Sequence, residues 1–179
     1  YPQDNVDDEY FPHMDASSDE ERRQADVEKA AWREYISAIS QNGFDEVVAS
    51  GNLPDSPGRY PPKIISIEGD VRNPSNTNTS GIIIVQAGAK YTMSGTGHHE
   101  GLIIVEEGGE VDPGSFELSS GTPRVYGAVI KMEGEEGVVD LDMTGNMAVR
   151  YSSYAIEKIN YYFGMGGEGN SGWKVMSWR

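Results

Sequence analysis

Cysteine is absent from this chain of 179 residues. Its absence excludes disulfide bonds, thiolate metal sites and cysteine nucleophiles, and leaves the cellular compartment open. No apolar run approaches the roughly 18 residues that a membrane-spanning helix needs, and no signal peptide is visible. The chain begins with Tyr1 rather than methionine, which predicts a processed or trimmed form.

Positive charge is also scarce. The 14 Lys and Arg residues stand against 29 Asp and Glu residues, so the formal net charge is -15. This balance opposes binding to nucleic acid or to an anionic membrane surface through bulk electrostatics. Apolar residues make up only 37% of the chain, which predicts a thin or elongated core.

Glycine is abundant, with 22 residues, and several of these stand beside short β-branched runs. The pattern Gly-apolar-Ile-Ile-Val occurs at 81–85 and again at 101–105, and related apolar runs begin at Ile64 and Ala128. The runs start at positions 64, 82, 102 and 128, so their offsets are 18, 20 and 26 residues. Offsets of about 20 residues or more are typical of a solenoid.

A parallel β-helix explains this repeat, because each turn of the chain around a narrow core stacks like strands about 4.8 Å apart. Glycine-containing corners supply the sharp bends. We therefore predict a mostly β fold, a short right-handed parallel β-helix (β-solenoid), in which Ile83, Ile103 and Val129 stack as equivalent core residues. An antiparallel β-sandwich is the rival fold, but hairpin turns of the Asn-Gly type do not stand between these runs.

The segments on either side of the repeat predict helices and loops. Ser17 and Glu20 have the spacing of a capping box, and Asn42-Gly43 provides a helix stop. Ser152 or Ser153 is placed to cap a second, shorter helix, which with a final strand would cap the coil. The predicted order is an extended acidic arm over 1–16, an α-helix packing on the solenoid over 17–43, a Pro/Gly-rich linker over 44–62, the β-solenoid over 63–152, and a C-terminal helix, Gly-rich loop and capping strand over 153–179.

Few residues form a pattern that chemistry would need. His98, His99 and Glu100 are the only local cluster of metal-ligand types, but adjacent strand residues face opposite sides and no second ligand pair has a useful spacing. Asp140 and Asp142 share one strand face, as a glycosidase pair or a Ca²⁺ site would require, yet such pairs are usually solvated. We therefore predict no catalytic, cofactor-binding or metal residues, no cofactor and no enzymatic activity.

Four segments of the second half carry a family resemblance: "SGIIIVQAGAKYTMSG", "EGLIIVEEGGEVD", "TPRVYGAVIKMEG" and "GNMAVRYSSYAIEKI". Together they resemble the C-terminal β-solenoid region of bacterial pilus-assembly proteins of the PilX-like minor pilin type. The similarity covers about 82–159 and rests most on Tyr126–Val129 and Tyr151–Ile156. It implies an extracellular or cell-envelope location in a type IV pilus or related filament, and it implies no catalytic residues.

The expected function is that of a minor-pilin-like structural component of a bacterial envelope or extracellular filament, presenting a rigid acidic β-solenoid for assembly or adhesion. The expected partners are other pilin or filament subunits, with a second copy of the chain and a surface glycan as further candidates. Membrane contact is expected only through a segment absent from this chain. Two alternatives stay open: a self-assembling, bactofilin-like cytoskeletal scaffold, and a carbohydrate-binding or carbohydrate-processing β-helix.

Overall fold

The computed structural model describes residues 19–53, 61–108, 112–132, 139–140 and 148–164. Helices flank a run of short strands within these ranges. In chain order the elements are α1 (Asp19–Asn42), β1 (Glu46–Val48), β2 (Gly51–Asn52), β3 (Lys63–Ile67), β4 (Asp70–Asn73), β5 (Thr79–Val85), β6 (Lys90–Gly95), β7 (His98–Val105), β8 (Ser115–Gly121), β9 (Arg124–Lys131), β10 (Val139–Asp140), β11 (Ala148–Tyr151) and α2 (Ser153–Tyr162).

Consecutive strands alternate between two sheets. The odd-numbered strands form a six-stranded sheet in the order β1-β3-β5-β7-β9-β11, and the even-numbered strands form a five-stranded sheet in the order β2-β4-β6-β8-β10. Every pairing is parallel and joins a strand to the second strand after it. We call an odd strand and the even strand that follows it a rung. The predicted mostly β class is confirmed, with two helices and parallel sheets.

The register of the six-stranded sheet aligns the repeats as the sequence predicts. Ile83 pairs with Ile103, and Ile103 pairs with Val129, so the predicted stack is confirmed. These three residues belong to an apolar cluster that contains side chains of both sheets, including Tyr91 and Phe116. This cluster between the sheets is the inner core.

The central strands of the six-stranded sheet, β5 and β7, are buried on both faces. The side chains that alternate with the inner core form a second cluster against α1 and α2, the outer core. Its fully buried strand residues are Ile82, Ile84, Leu102 and Ile104. Parallel strands covered on both faces have continuous apolar sequences, which is why "IIIV" and "LIIV" carry no polar residue.

Glycines occupy the same position in the three neighbouring strands β5, β7 and β9, directly before the apolar residues. Gly81, Gly101 and Gly127 pair with one another in register, and their φ angles are 121°, 136° and 142°. A Cβ atom on Gly101 would collide with the carbonyl oxygen of Gly81, and one on Gly127 with that of Gly101. These glycines therefore lie inside strands, where the backbone requires them, rather than at corners.

The predicted boundaries need one correction. The supposed linker 44–62 contains β1 and β2, which pair in parallel with β3 and β4 and so form the first rung. Helix α1 spans Asp19–Asn42, close to the predicted 17–43, and Ser152 is the N-cap of α2. The arm over 1–16, and the Gly-rich loop and capping strand predicted after α2, lie outside the described residues.

Candidate functional site

The histidine and glutamate cluster lies at the start of β7, and the strand separates its members. His99 pairs in register with Val125 of β9, which belongs to the inner core. Glu100 instead forms a salt bridge with Lys158 of α2. His98 packs edge-on against Tyr126, with ring centroids 5.9 Å apart. Among the described residues, no group of three or more His, Cys, Asp or Glu side chains is placed to hold a metal ion. The cluster is therefore not assembled as a ligand set.

His99 is fully buried and its two ring nitrogens have different partners. Nδ1 lies 2.9 Å from the Thr79 hydroxyl oxygen, and Nε2 lies 3.2 Å from the carbonyl oxygen of Leu102. Because a carbonyl only accepts, we assign the proton to Nε2, and the Thr79 hydroxyl then donates to Nδ1. Burial lowers the pKa of His99 from 6.5 to about 4. The ring is thus a neutral member of the core.

We expect acid to destabilise the protein through His99. The unfolded chain takes up the proton with an ordinary pKa near 6.5, whereas the folded chain does so only near 4. Lowering the pH through this window therefore favours unfolding, by about 1.4 kcal/mol per pH unit. Urea unfolding of wild type and His99→Gln between about pH 4 and pH 7.5 measures this slope, and His99→Gln should lose it. His98→Gln is the control that should keep it; equal slopes for wild type and His99→Gln would contradict the prediction.

A polar column crosses the outer face of the six-stranded sheet beneath α2. Ser80, Glu100, Tyr126 and Arg150 occupy the same position in four successive strands. The side chain of Glu100 is 0% exposed, and its Oε1 lies 3.3 Å from Nζ of Lys158, whose side chain is 36% exposed. A buried carboxylate needs such a partner. This ion pair holds α2 on the sheet, and helix packing fills the space around it.

A cleft of about 280 Å³ lies where α1 crosses the ends of the strands. Arg33 of α1 pairs there with the carboxylate of Glu107. Burial raises the pKa of the neighbouring Glu106 carboxyl. A hydrogen bond from the Ala87 backbone partly offsets this rise, and the negative charge of Glu107 adds to it. The sequence indicated only a Gly-rich corner here, because Arg33 lies 74 residues from Glu107 and no local pattern links them. The lining is completed by Ile36, Ser37 and Met132.

Of the predicted Asp140 and Asp142 pair, only the backbone of Asp140 lies within the described residues. Asp140 ends strand β10, where it pairs in register with Glu117 of β8. Asp142 lies outside the described residues. Glu117 itself accepts from Lys90 Nζ, at 2.8 Å, and this contact lowers the pKa of the Glu117 carboxyl. The carboxylate of Glu117 is thus engaged in an ion pair on the five-stranded sheet.

Tyr91 places a hydroxyl group inside the inner core. Its side chain is fully buried, and its ring stacks on Phe116 with centroids 5.7 Å apart. No described residue forms a hydrogen bond with the hydroxyl oxygen, and burial raises the pKa of the phenol. A buried hydroxyl without a partner costs about 1–3 kcal/mol of stability.

We therefore expect Tyr91→Phe to stabilise the protein by about 1 kcal/mol, because the ring stays and the hydroxyl is removed. The matched control is Tyr35→Phe, since the Tyr35 hydroxyl donates to Asn160 Oδ1 at 3.5 Å. That control should be neutral or destabilising. Urea unfolding of the two variants at pH 7 is the measurement, and a lower free energy of unfolding for Tyr91→Phe would show that its hydroxyl is bonded.

The exposed face of α2 carries tyrosines. Tyr154 and Tyr161 are seven residues apart, about two helical turns, so they lie on one side of the helix, opposite the buried Ala155 and Ile159. Tyr161 is 84% exposed and Tyr154 is 52% exposed. We call Tyr154, Tyr161 and the half-exposed Tyr162 the tyrosine ridge. The sequence predicted the helix but not this surface, which depends on how α2 rotates onto the sheet.

Comparison of the chain with protein-family models, curated proteins and solved structures found no match. Within the described residues, neither helix combines the length and the apolar character that crossing a membrane requires. The site residues therefore have to be interpreted from their own geometry. Among the described residues that geometry includes two packed cores, a cleft with an ion pair, and an aromatic ridge.

Proposed function

We propose that the protein is a minor-pilin-like structural component of a bacterial envelope or extracellular filament, without enzymatic activity, built as a short right-handed β-solenoid. The observation that carries this proposal is the strict alternation of consecutive strands between two parallel sheets. Like residues are stacked in columns through four strands, as in Ile65, Ile83, Ile103 and Val129. A chain wound in this way forms a stiff rod whose surface, rather than its interior, makes contacts.

The packing of the described residues supports a scaffold rather than a catalyst. The inner core is filled with aliphatic and aromatic side chains of both sheets. The outer core is filled in the same way by the helices. His99 is buried and neutral, and the carboxylate of Glu107 in the cleft is paired with Arg33. Nucleophilic or acid–base chemistry needs side chains that a substrate can reach. His99 is instead packed in the core, and Glu107 is engaged in an ion pair.

The tyrosine ridge is our candidate contact surface for a filament subunit. Tyrosine contributes a large apolar area and a hydroxyl group at low entropic cost, and it is enriched in protein interfaces. Tyr154 and Tyr161 project from a helix that Glu100 and Lys158 fix to the sheet. Side chains held on a rigid support lose little conformational entropy on binding. This supports assembly through α2.

Site-specific cross-linking in the cells that make the protein tests the proposal. The chain contains no cysteine, so a single introduced thiol gives an unambiguous signal. We expect Tyr161→Cys to form a cross-link with a filament or envelope subunit. Glu68→Cys, at an exposed corner before β4, is the control that should not. Recovery of the protein only in the cytoplasm, without a cross-linked partner at Tyr161→Cys, would refute the proposed function.

A further inference from the structure

The connection between α1 and β1 begins with an asparagine followed by a glycine. Helix α1 ends at Asn42, and Gly43 has φ 88°, the left-handed conformation that commonly terminates a helix. Asn42-Gly43 is the only Asn-Gly pair in the chain. Both residues are exposed. The helix stop therefore places an asparagine side chain at the surface, next to the backbone nitrogen of a residue that has no side chain.

The space around this pair is open. A Cβ atom added at Gly43 would meet no atom within 4 Å. The Gly43 N–H donates to the carbonyl oxygen of Ser40 at 3.3 Å, longer than the about 2.9–3.0 Å that is usual for such a bond. Ile39 is the last residue of α1 in the outer core. Because helix ends fray, Asn42 and Gly43 can change their relative orientation while the packed part of α1 stays in place.

We propose that Asn42 is a site of spontaneous deamidation. The backbone nitrogen of Gly43 gives its proton to water and attacks Cγ of Asn42, so that a new N–Cγ bond closes a five-membered succinimide and the side-chain amide leaves as ammonia. Water then opens the ring. Breaking the new N–Cγ bond yields aspartate, and breaking the original peptide bond yields isoaspartate. Water is the only co-reactant, and nothing is oxidised or reduced. Glycine favours the attack because it has no side chain to shield its nitrogen.

The modification acts on the end of α1. Both products add a negative charge where the helix carbonyls already carry partial negative charge, and isoaspartate also brings its Cβ atom into the main chain, which lengthens the connection. The β1 side is held, because the Asp45 backbone donates to the Ile64 carbonyl at 2.9 Å and Asp45 Oδ2 accepts from the Ile64 N–H at 2.7 Å. The last turns of α1 therefore loosen, including the outer-core residues Tyr35, Ile36 and Ile39.

Incubation of the purified full-length protein in heavy-oxygen water, at physiological temperature and neutral pH, tests the chemistry. Peptide mapping by mass spectrometry should find heavy oxygen at Asn42, as both aspartate and isoaspartate. Asn76 is the internal control, because it is also exposed but Thr77 follows it, and it should keep its amide. Gly43→Ala should lose most of the label at Asn42. A synthetic peptide of residues 36–48 gives the rate without the fold. Conversion of the peptide but not of the protein would overturn the proposal.

Hydrogen exchange of fresh and converted protein tests the loosening of α1. Backbone amides over 35–42 should exchange faster after conversion, whereas those of β5 and β7 should be unchanged. Asn42→Asp carries the charge without the longer main chain and should show a smaller increase. Equal exchange over 35–42 in fresh and converted protein would refute the effect on α1. Because purified protein is used, either result leaves the cross-linking test at Tyr161 unaffected.

Discussion

Ile103→Asp is expected to lower the free energy of unfolding by more than about 4 kcal/mol, which combines a lost core side chain with a buried charge. Ile103 is 0% exposed and lies between Ile83 and Val129 in the inner core. A carboxylate there has apolar neighbours on both sides. Because domains are stable by only about 5–15 kcal/mol, the variant should be largely unfolded in cells.

The neighbouring positions sharpen this prediction. Leu102 and Ile104 face the outer core and are also buried, so Leu102→Asp and Ile104→Asp should destabilise by a similar amount. If the outer face were solvated, these two variants would melt like the parent. Glu107→Ala is the control, because its pair with Arg33 lies on the surface and should be worth about 0–1 kcal/mol. Thermal melts of the four variants measure the pattern, and a parental melt for Ile103→Asp would refute the stacked core.

Gly101→Ala is expected to destabilise the protein strongly for so small a substitution, with a loss of about 3 kcal/mol or more in the free energy of unfolding. The residue has φ 136°, a conformation that alanine adopts at considerable cost. Its new Cβ would also collide with the backbone oxygen of Gly81, and with Cγ1 of Ile159 at 3.1 Å. A backbone atom in a parallel sheet has no room to shift without breaking the register of several strands.

Gly88→Ala separates the two causes. Gly88 also has a positive φ, 78°, but a Cβ there would meet no atom within 4 Å. It should lose only the conformational term, about 1–2 kcal/mol. Urea unfolding of the two variants gives the comparison, and equal losses would show that the contact between Gly101 and Gly81 contributes nothing.

The repeat could be predicted from the sequence because it follows from the spacing of residues along the chain. Each strand of the six-stranded sheet stacks on the preceding one, so equivalent residues recur at the length of one turn, and the starts at Ile64, Ile82, Leu102 and Ala128 align in the structure. The start of α2 could be predicted for the same reason: the sequence indicated Ser152 or Ser153 as its cap, and Ser152 is the N-cap. In both cases the residues that determine the feature are neighbours in the chain or in the repeat.

The first rung escaped prediction because its strands are short. Strands β1 and β2 comprise three and two residues, which is too few to show a period against the prolines that follow them. They are strands only because β3 and β4 pair with them. The cleft escaped prediction as well, since its Arg33 and Glu107 belong to segments 74 residues apart.

The sequence alone thus determined the parallel stacking, the equivalence of Ile83 and Ile103, and the two helices, because each follows from spacing along the chain. Tertiary structure decided that β5 and β7 are buried on both faces, because only the docking of α1 and α2 covers Ile82 and Leu102. It also decided that His99 is neutral and that Glu100 meets Lys158. Adjacent residues of a strand face opposite environments, and only the packed elements on each side define those environments.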